Sequence, residues 1–154
     1  MPKQSAGILL FRSGEFGLDV MLVHPGGPFW ANKDLAAWSI PKGEFGPDED
    51  ALEAAKREFE EEIGQSVDGV FIELEPLHQP GGKLVYAWAL ESDCDVSEIN
   101  SNSFPLEWPP KSGQIQQFPE IDRADWFRIG RAGLKILPGQ TGFLDQLEAL
   151  LVTD

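Results

Sequence analysis

Asp48-Glu49-Asp50-Ala51-Leu52-Glu53-Ala54-Ala55-Lys56-Arg57-Glu58-Phe59-Glu60-Glu61-Glu62-Ile63-Gly64 is the stretch on which the reading of this chain turns. Pro47 precedes it, and Asp48 is placed to cap a helix whose first turn carries Glu49 and Asp50, where the macrodipole favours anions. Gly64 stands where a left-handed residue closes a helix. At about 100° per residue, Leu52, Ala55, Phe59 and Ile63 fall on one stripe, which predicts the face turned to a core. Lys56 with Glu60, and Glu53 with Arg57, have i,i+4 spacing for ion pairs.

The second half of this helix breaks the rules that favour stability. Glu58, Glu60, Glu61 and Glu62 crowd the negative end of the dipole, where cations are preferred. Glu58, Glu61 and Glu62 share an arc of roughly 100°, so like charges face one another at a few tenths of a kcal/mol each. Ala51 and Ala54 lie on that side one or two turns earlier and leave room above the carboxylates. Two readings stand. One is a solvated acidic face with an Arg57–Glu61 pair. The other is a seat for a divalent cation such as Mg²⁺, which takes carboxylate oxygens and keeps waters or substrate phosphates.

Outward from the helix, Ala6 to Phe11 reads as a buried strand closed by Ser13-Gly14-Glu15, and Leu18 to Val23 as a second strand. Pro25-Gly26-Gly27-Pro28 breaks it, and a loop with Phe29 and Trp30 leads to Trp38-Ser39-Ile40. Pro41 to Pro47 is too rich in Gly and Pro for helix. Val70 to Leu77 and Lys83 to Leu90 read as strands around Pro80-Gly81-Gly82. Residues 92 to 124 read as one long irregular connection, functional or locally disordered. A short strand at Asp125 to Phe127, a helix around Arg131 to Leu137 and a last helix capped by Thr141 follow. That last helix carries Phe143, Leu144, Leu147, Leu150 and Leu151 on one side. There is no internal repeat and no composition break, so one domain over 1–154 with an α/β sandwich architecture is expected.

Composition narrows the function. Twelve Lys and Arg against 26 Asp and Glu give a formal charge of −14, the wrong sign for nucleic acid or an anionic membrane surface. Cys94 is the only cysteine and His24 and His78 the only histidines, so neither a disulfide framework nor a Cys/His metal site is expected. No run approaches the ~18 apolar residues of a membrane span, and the apolar run after Met1 to Gln4 is too short for a signal peptide. A soluble, cytoplasmic protein is expected.

Gly43, five residues, Glu49, seven residues and then Arg57-Glu58-Phe59-Glu60-Glu61-Glu62-Ile63-Gly64 resembles the Nudix box, Gly-x5-Glu-x7-Arg-Glu-U-x-Glu-Glu-x-Gly-U with U bulky and aliphatic. Every glycine and charged position is in register. The final U falls on Gln65, with Val67 two residues later. The resemblance extends to Ala6-Gly7 and to Trp38-Ser39-Ile40-Pro41-Lys42-Gly43 before the box. It implies an α/β/α sandwich with a mixed central β-sheet, and a Mg²⁺- or Mn²⁺-dependent hydrolase that cleaves a pyrophosphate bond in a nucleoside diphosphate linked to another group.

Carried over residue by residue, the resemblance makes Glu58, Glu61 and Glu62 metal ligands, with the Gly43 carbonyl a further candidate. Arg57 would orient the glutamates, and Glu49 would lie in an outer shell. The general base varies within the family, so Glu58 and Glu120 are both candidates. Phe118-Pro119-Glu120, six residues before Trp126, is similar to the distal glutamate of short dinucleoside polyphosphate hydrolases. Lys42, Lys111 and Trp108 are candidate substrate contacts. Trp30, Tyr86 and Trp88 read either as core or as stacking surfaces for a base. The expected partner is a small nucleotide, a dinucleoside polyphosphate or (d)NTP first, with ADP-ribose, oxidised dNTPs and diphosphoinositol polyphosphates as alternatives. A monomer or homodimer is expected. The rival of another class is a Nudix-fold nucleotide sensor without turnover.

Overall fold

The computed structural model describes residues 3–14 and 17–152, so the Glu15 part of the expected first turn lies outside the described residues. The first strand, β1 (Gln4–Gly14), is the axis of the molecule. Its apolar run is buried on both faces, with Ile8, Leu9 and Leu10 all at 0% exposure. A strand covered on both sides needs a continuous apolar run rather than alternation, which is what Ala6 to Phe11 supplies.

One side of β1 is shared by two partners. β2 (Gly17–Pro25) pairs antiparallel with its second half, Phe11 opposite Val20. β3 (Lys42–Phe45) pairs antiparallel with its first half, Ala6 opposite Gly43. After the helix α1 (Ala51–Ile63) come the short strands β4 (Phe71–Glu73) and β5 (Leu77–His78) and then β6 (Leu84–Glu91). β6 lies parallel along the other side of β1, and both β4 and β5 pair antiparallel with β6. The expected single strand over Val70 to Leu77 is thus two, divided at Pro76, which has no N–H for the ladder.

The expected irregular connection over 92 to 124 is ordered instead. It contains a 3₁₀ turn at Val96–Glu98 and a separate antiparallel hairpin of β7 (Ser103–Glu107) and β8 (Ile115–Pro119). Its half-buried residues Phe104, Leu106 and Phe118 alternate with polar ones, a pattern diluted by Pro105 and the Gln pair. β9 (Ile121–Arg128) then runs antiparallel to β2, longer than the expected three-residue strand. The mixed sheet has the order β4-β6-β1-β2-β9, with β3 and β5 as the side pairings. It closes with α2 (Ile129–Lys135), a 3₁₀ turn at Pro138–Gln140 and α3 (Thr141–Val152).

Two apolar layers result. Ala6, Ile8, Leu10, Met21 and Val23 meet Ala54, Ala55, Phe59 and Ile63 of α1. Leu9, Phe11, Val20 and Leu22 point the other way, toward Ala132 and Phe143, Leu144 and Leu147. This is the expected α/β/α arrangement. Three local expectations are corrected. Asp50 rather than Asp48 caps α1, accepting from Glu53 N at 3.0 Å, while Asp48 and Glu49 belong to the turn before it. Ala54 is buried and Leu52 only half-buried, so the core stripe is rotated toward Ala54 and the room above the carboxylates is not over that residue. Thr141 lies inside α3 with its hydroxyl donating to Pro138 O, and Leu150 and Leu151 at the far end are exposed.

Cys94 is buried as a free thiol. Among the described residues no helix is long and apolar enough to cross a membrane. Phe59→Ala should cost about 3–5 kcal/mol in urea unfolding, as for a fully buried ring. Leu52→Ala should cost less than half as much. Equal losses would contradict the rotated stripe.

Candidate active site

The site is assembled where the C-terminal half of α1 passes under β3. Gly43 lies on β3 opposite Ala6, and the Glu58 carboxyl rests directly on it: a Cβ at Gly43 would come 2.0 Å from Glu58 Cδ. No other residue type fits there without moving the carboxylate. The next residue back, Lys42, donates its backbone N–H to Glu62 Oε1 at 3.3 Å.

Arg57 is the counter-ion of this helix face. Its Nε and Nη2 form a fork on Glu49 at 3.0 and 3.1 Å, and Nη1 donates to Glu58 Oε1 at 2.9 Å and to Glu61 Oε1 at 3.4 Å. The fork on Glu49 is the main reason the guanidinium holds its proton above the usual range. The expected Glu53–Arg57 pair does not form, and Glu53 stands 4.0 Å from Lys56 instead. The Arg57–Glu61 pair does form.

Glu120 arrives from 58 residues further on by a chain of backbone bonds. The segment after the 3₁₀ turn caps the end of α1: Asn100 N donates to Ile63 O at 2.7 Å and Asn102 N to Glu61 O at 3.0 Å. These bonds satisfy helix carbonyls that would otherwise be orphaned. Asn102 O then accepts Glu120 N–H at 2.8 Å, and Glu120 O accepts Gly26 N–H at 2.9 Å. Gly64 makes room for this segment: it is left-handed, φ 80°, and a Cβ there would meet Asn100 O at 2.7 Å. Gln65, standing where the box has an aliphatic residue, ties down the start of the 3₁₀ turn that leads into this segment by donating to Asp95 O at 3.0 Å.

The electrostatics record how close the four carboxylates are. Burial, reinforced by the charge of Glu58, pushes Glu62 up to about 8. Burial and then Glu61 raise Glu58, and the same two causes raise Glu120. Glu120 in turn adds to the fields at both Glu58 and Glu62. Lys42, half-buried, is lowered first by burial and then by Lys83. Lys42, Glu62 and Glu120 share a cleft of about 230 Å³ with Trp30, Ser39 and Leu137.

Hard oxygen donors forced together against their own repulsion suit a divalent cation. The residues fit such an ion in kind: Glu58, Glu61 and Glu62 carry the donors, and the Gly43 peptide lies beneath Glu58. Among the described residues, however, no three Asp, Glu, His or Cys side chains stand as a closed cage, because Arg57 draws Glu49, Glu58 and Glu61 to itself.

The chain matches the family model described as NUDIX domain over residues 1–147. The chain belongs to the Nudix superfamily. Its reaction class is therefore that of the Nudix pyrophosphohydrolases. Among solved structures, a Caenorhabditis elegans Ap4A hydrolase binary complex is similar at TM-score 0.65 and 20% identity, covering 99% of each chain. The NUDIX domain of Shewanella oneidensis NrtR, complexed with ADP ribose, is similar at TM-score 0.66 and 15% identity, covering 99% of this chain and 90% of that one. MutT, from a study of Aliivibrio salmonicida and Vibrio cholerae, is similar at TM-score 0.57 and 15% identity, covering 96% of each. At such identities these likenesses show the Nudix fold alone. No match was found among curated proteins.

Of the residues singled out in the sequence, Gly43, Lys42, Glu49, Arg57, Glu58, Glu61, Glu62 and Glu120 come together. Trp108 and Lys111 do not line the cleft. Trp108 packs edge-on against Phe29, with centroids 5.4 Å apart, and Lys111 sits in the β7–β8 turn with its N–H on Glu107. Trp30 lines the cleft, whereas Tyr86 and Trp88 pack against the α1 layer. Sequence alone assigned nothing to His24. It is fully buried, with Nδ1 2.8 Å from Asp122 and Nε2 2.6 Å from Lys33 O, and it ties the loop behind Trp30 to β9. Asn100 and Asn102 were invisible as well, because backbone caps leave no side-chain signature.

The raised Glu62 carboxyl has a signed consequence for stability. The folded state holds this proton up to about 8 and the unfolded state releases it near the ordinary 4.5. Its contribution is therefore complete below 4.5 and is lost as pH rises toward 8. In chelator, the melting temperature should fall across that window, and Glu62→Gln should flatten the fall. An unchanged slope in the variant would contradict the buried placement.

Proposed function

We propose that this Nudix protein is a Mg²⁺- or Mn²⁺-dependent hydrolase of nucleoside diphosphates linked to another group, with dinucleoside polyphosphates as the preferred substrates and (d)NTPs next. The observation that carries this reading is the joining of Glu120 to Glu62 of the box in one cleft with Lys42 and Trp30. The structural likeness to an Ap4A hydrolase supports it at the level of fold.

Glu58, Glu61 and Glu62, with the Gly43 carbonyl, hold the cation. Once bound, it supplies neutralisation of the diphosphate, polarisation of phosphorus and activation of water. Arg57, fastened from behind by Glu49, keeps the glutamates from splaying. Lys42, at the wall between Glu62 and the solvent, meets a substrate phosphate. The Trp30 face offers a stacking surface for a base. Glu120, raised by burial and by Glu61, takes the proton from the attacking water, with Glu58 as the competing base. Trp108 and Lys111 contact only a substrate long enough to reach the hairpin. The chain acts as one Nudix domain, as a monomer or homodimer in the cytoplasm, and nucleic acid and membranes are not its partners.

The test is phosphate release with Mg²⁺ or Mn²⁺ from diadenosine polyphosphates, dNTPs including an oxidised one, ADP-ribose and a diphosphoinositol polyphosphate. Glu58→Gln and Glu62→Gln should each lower kcat by at least about 100-fold, the size of a lost charge in metal-assisted catalysis. Mg²⁺ should raise the melting temperature of the wild type but not of Glu58→Gln. Glu120→Gln should lose kcat by ~10²–10⁴ yet keep the Mg²⁺ shift, which separates a base from a ligand. Mg²⁺-dependent stabilisation with no turnover of any substrate would favour the nucleotide sensor. A Glu120→Gln enzyme of full activity would return the base to Glu58.

A further inference from the structure

The charge of −14 hides a local reversal. On the far side of the loop that carries Trp30, a hollow of about 480 Å³ lies between residues 31–34, β9 and α2. Its size falls in the ~300–1,000 Å³ range usual for small-molecule sites. It shares no wall residue with the cleft of the candidate active site. Four of the chain's 12 Lys and Arg line it, Lys33, Arg123, Arg131 and Lys135, against two acids, Asp34 and Asp125.

One of those acids is already fully engaged. Asp34 is ion-paired with the buried Lys135 ammonium and also accepts the Trp38 indole N–H at 2.9 Å. This pair makes the floor of the hollow rigid and neutral. Asp125 is turned onto its own chain, accepting the Trp126 backbone N–H at 2.9 Å. The other cations are less engaged. Arg123 lies 5.2 Å from the centre of the Trp38 ring and touches Asp122 only at 3.8 Å. The Lys33 ammonium rests 5.0 Å from the Trp30 ring. The Arg131 side chain, exposed on α2, enters no ion pair or hydrogen bond among the described residues.

We propose that this hollow is a second anion site, which takes a phosphate or diphosphate group between Arg123, Arg131 and Lys33. Two guanidinium forks match phosphate oxygens in geometry, and the ammonium adds a point charge. Against a net charge of −14, a lining with more cations than acids is a place where a polyanion is attracted. Inorganic phosphate and the phosphate of a nucleotide present the same chemistry to it. Such a site would bind its anion whether or not the cleft hydrolyses a nucleotide.

The test titrates the full-length chain, in chelator, with inorganic phosphate, pyrophosphate and adenosine monophosphate by calorimetry. Without a divalent cation the carboxylates of the acidic cleft disfavour all three anions, and the variants locate whatever binding is seen. Saturable binding of phosphate or pyrophosphate is expected, about tenfold weaker in Arg131→Ala and again in Lys33→Ala, the usual loss of one charge-assisted contact. Lys42→Met, in the cleft, should bind as wild type. Far-UV circular dichroism checks that each variant is folded. Tighter binding of adenosine monophosphate than of phosphate, still sensitive to Arg131→Ala, would identify a nucleotide as the natural source. No saturable binding would overturn the proposal. So would wild-type affinity in both Arg131→Ala and Lys33→Ala, loss only in Lys42→Met, or binding of adenosine monophosphate with both inorganic anions inert.

Discussion

Four carboxylates within reach of one another's fields, Glu58, Glu61, Glu62 and Glu120, are the constraint around which this molecule is arranged. Uncompensated, such a group would drive the end of α1 apart. Three devices hold it. Arg57 binds two of the glutamates and is itself anchored by a fork on Glu49. The Lys42 backbone N–H holds Glu62. The carbonyl end of the helix is closed by backbone N–H groups of Asn100 and Asn102 instead of by cations. Each contribution is small by itself, since ion pairs of this exposure are worth ~0–1 kcal/mol. They act on one helix that is already fixed by the burial of Phe59 and Ile63.

The sheet serves the same end. β1 spends half of one edge on β3 and half on β2, which brings Gly43 over the helix from one partner and the loop after β2 beside Glu120 from the other. A long, doubly buried strand can be divided in this way because β6 pairs with its other edge from Gln4 to Phe11, across the whole buried run. The glycines matter at two places. Gly43 lets the backbone lie against the Glu58 carboxyl, and Gly64 lets the Asn100 segment close on the end of α1. Replacing either would move a carboxylate that the proposed chemistry needs.

The charge distribution is polarised. Acids gather on α1 and its cleft, and Lys33, Arg123 and Arg131 gather at the β9 edge around a floor neutralised by the Lys135–Asp34 pair. The loop from Pro25 to Asp34 separates the two regions, with Trp30 facing one and Lys33 the other. His24 fixes that loop from beneath through the Lys33 carbonyl while holding Asp122, two residues beyond Glu120. Both regions therefore depend on one buried side chain that belongs to neither.

Local information decided much of this in advance. The body of α1, its Gly64 cap, the apolar run of β1 and the box from Gly43 to Gly64 are announced by residue types and spacings that lie adjacent in the chain. The α/β class followed from the same patterns. The split at Pro76, the β7–β8 hairpin and the Asp50 cap depend on which neighbour is available, and polar strands with a Pro inside carry little periodicity to announce them. Glu120 marks the boundary. Its position in the chain suggested a role, but its approach to Glu61 and Glu62 exists only because Asn102 bridges two distant backbones. The cationic hollow lies wholly beyond the reach of sequence. Lys33, Arg123 and Arg131 are scattered through an acidic chain, and only the packing of a loop, an edge strand and a short helix makes them neighbours.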